Sequence, residues 1–249
     1  MNSNGLVFNM LVAQEKINFG LTQLELFDYI VDMGFNNIEL RREYFKDIDS
    51  EITAITKFCE RNKITIFYSV PDAIFLDSGK LNPAISQYFD EAKKLKATHV
   101  KMTIGNYQEK SQLRNLKMIN QQAFNFMVEN DQTQQSGKIN NILSFLNDTT
   151  AIGLNIGYTY DLGNFRYVGE SEVTGAEVLK PYISYIHLKN VSQVHDKLVA
   201  TSLDRGDIDW KQVLSRLPKD VPVALEYPSN QKVEILTDKQ LIEVFGYGN

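Results

Sequence analysis

Four residues near the ends of four apolar runs could do chemistry together. Glu129 closes FNFMVE (124–129) and Asp161 closes LNIGYTYD (154–161). His187 lies near the end of YISYIHLK (182–189), and Glu226 near the end of PVALEY (222–227). Three carboxylates and an imidazole brought to one point repel one another unless a cation sits among them. Oxygen-rich ligands with one histidine suit a single divalent ion, Mn²⁺, Mg²⁺, Co²⁺ or Zn²⁺, with no sharp choice between them. Taken singly, each residue has a plainer reading. A strand-end glutamate is ordinarily a solvated rim residue, and a lone histidine among apolar neighbours is ordinarily a hydrogen-bonded core residue. Four at matched strand ends favour a site.

The elements that must position them recur along the chain. Besides those four runs, short apolar segments occur at LVFNMLV (6–12), NIELR (37–41), ITIFYSV (64–70) and HVKMTIG (99–105). Eight strands are therefore expected, their ends about 25 to 38 residues apart, the length of a βα unit. Helical patterns fall between them at 22–34, 49–62, 82–97 and 207–217, with apolar residues at helical spacing. The stretch 107–121 is polar and gives a weaker signal. Eight βα units in 249 residues predict an α/β chain folded as a single (β/α)8 TIM barrel, with residues 1–249 as one domain. The rival is an open doubly wound sheet. That fold often shows a glycine-rich loop after its first strand, whereas here the first strand runs into Val12-Ala13-Gln14-Glu15.

Side chains alternate faces along a strand, so in a barrel one set packs on the helices and the other points inside. Parity places Asn125, Met127 and Glu129 together, then Asn155, Gly157, Thr159 and Asp161, then Tyr185, His187 and Lys189, then Ala224 and Glu226. The second strand adds Glu39 and Arg41, and the fourth adds His99, Lys101 and Thr103. The opposite faces are almost wholly apolar. The polar set gathers toward strand C-termini, where barrels of this kind build their sites.

Composition sets outer bounds. With 43% hydrophobic residues the chain can build a sizeable core. A net charge of −5 argues against a general nucleic-acid binder, which needs a basic face. Cys59 is the only cysteine, so no intrachain disulfide or cysteine metal cluster can form, which fits a cytoplasmic protein. Its place in a helical pattern suggests a buried, inert thiol. The segment MNSNGLVFNMLVAQEK has no basic n-region and does not read as a signal peptide, and no apolar run approaches a membrane span. Self-association into a homo-oligomer is left open.

The chain resembles the xylose isomerase-like barrel superfamily, in its sugar phosphate isomerase/epimerase branch, which includes ketose 3-epimerases and inosose dehydratase-like proteins. The matching pieces are MGFNNIELR (33–41), FMVEN (126–130), YTYDLGNF (158–165), YIHLKN (185–190), GDIDW (206–210) and ALEYP (224–228). The resemblance implies that Glu129, Asp161, His187 and Glu226 hold one metal ion, the same four that parity selects. It places Glu39 near the substrate; an ion pair of Glu39 with Lys101 or Arg41 is the other reading. Two positions depart from the pattern. Many relatives carry a histidine where Asn164 stands and an aspartate where Asn190 stands.

The activity implied is a metal-dependent isomerase or epimerase acting on a ketose or related sugar or polyol through an enediolate intermediate. Glu129 and Glu226 would move the proton. Lys189 could bind a substrate hydroxyl, carboxylate or phosphate, or could make a rim salt bridge. Arg205, at the end of a long loop (190–205), could close over substrate or be an ordinary exposed arginine. Phe75 and Leu76, in the loop 71–81, could cover the sugar or anchor the loop. His99 and His195 are given no role. An inosose-type dehydratase would share the same first deprotonation. A non-catalytic sugar-binding barrel is a third reading. The abasic-site endonucleases of the superfamily need a cluster of zinc ions and many more histidines than the three present.

Overall fold

Residues 5–247 are described in a computed structural model. Residues 1–4 of the segment MNSNGLVFNMLVAQEK and residues 248–249 of the expected domain lie outside the described residues. Eight strands close into one parallel barrel: β1 (Leu6–Asn9), β2 (Asn37–Arg41), β3 (Thr65–Phe75), β4 (His99–Gly105), β5 (Asn125–Glu129), β6 (Ile156–Asp161), β7 (Ile183–Leu188) and β10 (Val223–Leu225). Two further strands, β8 (Asn190–Val194) and β9 (Lys197–Thr201), form an antiparallel hairpin outside it. The fold is the expected (β/α)8 barrel.

Helices cover the outside through the apolar positions that the sequence spaced for them. The helix Ile48–Asn62 buries Ile52, Ile55 and Cys59, and the helix Ile85–Leu95 buries Tyr88, Phe89, Ala92 and Leu95. Burial pushes the Cys59 thiol up to about 12, so it is inert at neutral pH. No helix among the described residues is long and apolar enough to cross a membrane.

Several elements differ from expectation. The first strand stops at Asn9, whose side chain accepts from the Leu11 amide and turns Met10–Ala13 into a 3-10 helix. The pattern at 22–34 is a 3-10 turn followed by a short α-helix, Phe27–Val31. The helix expected over 207–217 shortens to Trp210–Leu214. The polar stretch 107–121 forms 3-10 turns over Lys110–Gln121. The expected loop from residue 71 begins as strand, because β3 runs on to Phe75. Pro71 lies where the β3–β4 register shifts, between Ser69 and Ala73; a bulge tolerates a residue with no N–H to donate. The supposed loop 190–205 is mostly the β8–β9 hairpin. His195 and Asp196 form its tip at φ 46° and 61°, the positive values of a two-residue turn whose twist matches the strands.

The barrel interior has two storeys. Val7, Phe67, Met127, Tyr185 and Ala224 pack together as an apolar plug. Each large side chain so buried contributes about 1.5–3 kcal/mol. His99 belongs to the plug, stacked on Phe67 at 4.1 Å with the rings 2° from parallel. The charged residues lie one pleat further along the same strands: Glu129 two residues beyond Met127, His187 two beyond Tyr185, and Glu226 two beyond Ala224.

Candidate metal centre

The strand registers bring the four singled-out residues together. Asp161 lies opposite His187, and His187 opposite Ala224, two residues before Glu226. Glu129, Asp161, His187 and Glu226 are all buried, and each offers one ligand atom within 4.8 Å of the others.

Each carboxylate has one oxygen held by the protein. Glu129 Oε2 pairs with Lys101. Glu226 Oε1 accepts from Arg41 Nη1 at 3.0 Å and Asn9 Nδ2 at 3.2 Å. Asp161 Oδ1 accepts from the backbone amides of Gly163 and Asn164 at 2.9 and 3.0 Å. The other oxygens face inward. Lys189 Nζ reaches two of them, Asp161 Oδ2 at 2.6 Å and Glu226 Oε2 at 3.0 Å.

His187 is fixed from behind. Its Nε2 lies 2.8 Å from Glu39 Oε2, which also accepts from the Tyr185 hydroxyl at 2.6 Å. With Nε2 donating, Nδ1 presents a lone pair to the cluster. It sits 2.7 Å from Glu129 Oε1 and 3.2 Å from Glu226 Oε2. Neither Nδ1 nor Glu129 Oε1 has a hydrogen-bond partner, though both are buried. Acceptors this close need a positive charge between them, either a proton on Nδ1 or a metal ion. A donor set of three carboxylates and one imidazole, backed by a carboxylate on the far nitrogen, fits a divalent ion.

Protonation of the metal-free chain shows the same demand. Burial opposes a charge on His187, but Glu39, Glu226 and Glu129 override it and raise its pKa well above the usual value. Burial alone would raise Glu129 and Glu226. Lys101 and His187 bring Glu129 below the ordinary carboxylate range, and Lys189, His187 and Lys101 bring Glu226 well below it. Asp161 goes the other way, pushed up to about 8 by burial and by Glu226 against the opposing pull of Lys189. Crowded buried carboxylates do not all ionise as readily as isolated ones.

The chain has the xylose isomerase-like barrel fold. A xylose isomerase domain containing protein from Salmonella typhimurium LT2 superposes on this barrel with a TM-score of 0.74 at 15% identity, covering 98% of this chain and 97% of that one. An IolI protein with a bound zinc atom gives 0.69 at 14%, covering 97% and 96%. An L-ribulose 3-epimerase gives 0.70 at 14%, covering 97% and 93%. No protein-family model matches the sequence of this barrel, and no curated protein does.

The remaining candidates are placed as follows. Glu39 is fully buried behind His187, and its distance to Lys101 is 3.9 Å; the closer partners are Tyr185 and His187. Lys189 is buried inside the cluster and not on a solvated rim. Arg205 is largely exposed and pairs with Glu234 at 3.2 Å, outside the cluster's contacts. Phe75 is buried and Leu76 is 40% exposed; both line a cavity of about 230 Å³ at the C-terminal ends of β3, β4 and β5, with Thr103 and Asp131. His195 is at the hairpin tip.

Two further residues belong to the site. Asn9 ends the first strand on the face of Val7, where parity alone would place it inside. Asn130 follows Glu129 and ties two strand ends together, donating to Asp161 O at 2.9 Å and accepting from Asp161 N at 2.8 Å and Tyr158 Oη at 2.7 Å. The two departures from the family pattern have structural partners. Asn164 donates to Asn130 O at 2.9 Å. Asn190 donates to Ile208 O at 3.0 Å and accepts from Ile208 N at 2.9 Å, closing the base of the hairpin.

Proposed function

We propose that residues 1–249 act as one cytoplasmic, divalent-metal-dependent isomerase or epimerase of a ketose or related sugar or polyol. The observation that carries this reading is the buried convergence of Glu129, Asp161, His187 and Glu226, with His187 Nδ1 2.7 Å from Glu129 Oε1 and 3.2 Å from Glu226 Oε2. Glu129, Asp161, His187 and Glu226 would hold the ion, which supplies a Lewis-acid charge for a substrate carbonyl. Glu129 and Glu226 do the proton work. They approach from β5 and from the end of β10, two strands separated in the barrel by β6 and β7. Their cationic neighbours lower both carboxyls toward the ionised form that a base requires. One takes a proton from the carbon beside the carbonyl, leaving an enediolate, and the other, after taking up a proton from solvent, delivers it to carbon. Return to the opposite face gives epimerisation; return to the neighbouring carbon gives isomerisation. Glu39 holds the His187 ring so that Nδ1 faces the site. The likeness to an epimerase and to a zinc-bearing protein of the same fold supports the reading.

The test is metal content followed by exchange. Elemental analysis of gently purified protein should find about one divalent ion per chain, bound more weakly in Glu226→Gln. With a ketose panel in heavy water, deuterium should enter the substrate at carbon, and Glu129→Gln should slow this by about 100-fold or more. A chain that takes up no ion even when Mn²⁺ is supplied, or exchanges no substrate, refutes the proposal. In the first case the sugar-binding barrel becomes the better reading.

A further inference from the structure

We propose that the metal-loaded site takes a carboxylate-bearing sugar derivative, a polyhydroxy keto acid, in preference to an uncharged ketose, with Lys189 as its anchor. This rests on the metal reading above and narrows its substrate class. The first observation is where Lys189 lies. Its ammonium occupies the inward oxygens of Asp161 and Glu226, the oxygens left free for an ion once the outer ones are held by Arg41, Asn9 and the 163–164 amides. With a divalent ion held by those oxygens, Lys189 would lose them as partners. Lys189 would then be a buried cation in need of a new anionic partner.

The second observation is the charge balance. The buried carboxylates are Glu39, Glu129, Asp161 and Glu226, and the cations among them are Lys101, Lys189 and Arg41. Metal ligands are deprotonated carboxylates and neutral imidazole. A divalent ion therefore leaves the loaded site with one positive charge in excess. Glu43, which also meets Arg41, is 31% exposed on the rim, where water screens it. A net buried charge is costly. Proton transfer from substrate carbon to Glu129 moves charge within the site without altering its total, so the reaction of a neutral sugar never cancels the excess. A carboxylate cancels it on arrival. A phosphate monoester, with nearly two negative charges, overshoots.

The experiment is calorimetric binding to Mn²⁺-loaded protein, with Mn²⁺ occupancy established first by electron paramagnetic resonance. The probes are 2-keto-D-gluconate, D-fructose and D-fructose 6-phosphate. The keto acid should bind at least about ten-fold more tightly than either other probe, a difference of about 1.4 kcal/mol. The preference should require Mn²⁺, and it should fall to within a factor of about three in Lys189→Gln. A folded Lys189→Gln that keeps the full preference overturns the role of Lys189. Equal or tighter binding of fructose, tighter binding of the phosphate, or no binding of any probe to loaded protein overturns the substrate class and leaves the metal centre standing. Absence of Mn²⁺ uptake removes both. The wild-type comparison needs no variant, so a failure of Lys189→Gln to fold does not protect the proposal.

Discussion

His99 and His187 are both buried inside the barrel, one pleated layer apart, and their protonation is driven in opposite directions. His99 stacks on Phe67, lies beside the Tyr185 ring, and has the Thr98 hydroxyl and the Asn125 amide as hydrogen-bond partners. Burial wins there, against a weak pull from Glu39, and the pKa falls to about 4. His187 meets three carboxylates, and the same burial penalty is overridden. Depth alone therefore does not decide the state of a buried imidazole. Its neighbours do, and one step along the strands is enough to change them. The lower storey is built to exclude charge. The upper storey is built to hold it.

The hardest test of that division is Lys101→Met. Lys101 is the partner of Glu129 and lies 3.9 Å from both Glu39 and Glu226. Its loss leaves a buried carboxylate uncompensated, and metal-free protein should lose about 3–5 kcal/mol on denaturant melting. Saturating Mn²⁺ should shrink the loss. An equal loss with and without the ion would mean that Lys101 acts by packing, and the two storeys would differ less than proposed.

His99 tests the lower storey by pH. Its folded pKa of about 4 lies below the ordinary 6.5, so between those values the unfolded chain binds the extra proton. Stability from the neutral ring is then complete above pH 6.5 and is lost as the pH falls through 4. The shift corresponds to up to about 3 kcal/mol. His99→Phe should keep the stack on Phe67, and the difference in stability between wild type and variant should grow in the variant's favour from pH 6.5 to pH 4. A constant difference over that range would show that His99 is not held neutral.

Glu39→Gln probes the upper imidazole with the smallest expected effect. Glutamine can still accept from His187 Nε2 but without a full charge. Mn²⁺ affinity should fall about 10- to 100-fold, the usual cost of losing an outer-sphere partner, with the fold intact by circular dichroism. Unchanged affinity would mean that Glu39 does not orient the ring.

The eight strands and the four converging residues were legible because both follow from period. Alternation marks a strand and its inward face, and the C-terminal end of a barrel strand marks the place for chemistry. What escaped depends on reach and on local turns. Parity cannot say that Lys101 extends to Glu129 or that Lys189 bridges Asp161 and Glu226, since four methylenes allow many directions. Pro71 reads as a stop, yet a bulge carries β3 past it to Phe75. His195-Asp196 is not a pair that advertises a tight turn, so the β8–β9 hairpin read as a loop. Asn190 reads as a change to the site, and its bonds to Ile208 show that it secures the hairpin's base.

The lysines and Arg41 inside the upper storey also set an order of events. A small zinc domain stays unfolded until its ion arrives, because nothing else holds its ligands together. Here Lys101, Lys189 and Arg41 already compensate the carboxylates, so the nascent chain can complete its barrel with no ion present. Loading of the proposed ion would then be a step after folding. A finished pool of protein could wait for the proposed ion, and the choice among similar ions would pass from the synthesis of the chain to the supply it meets afterwards.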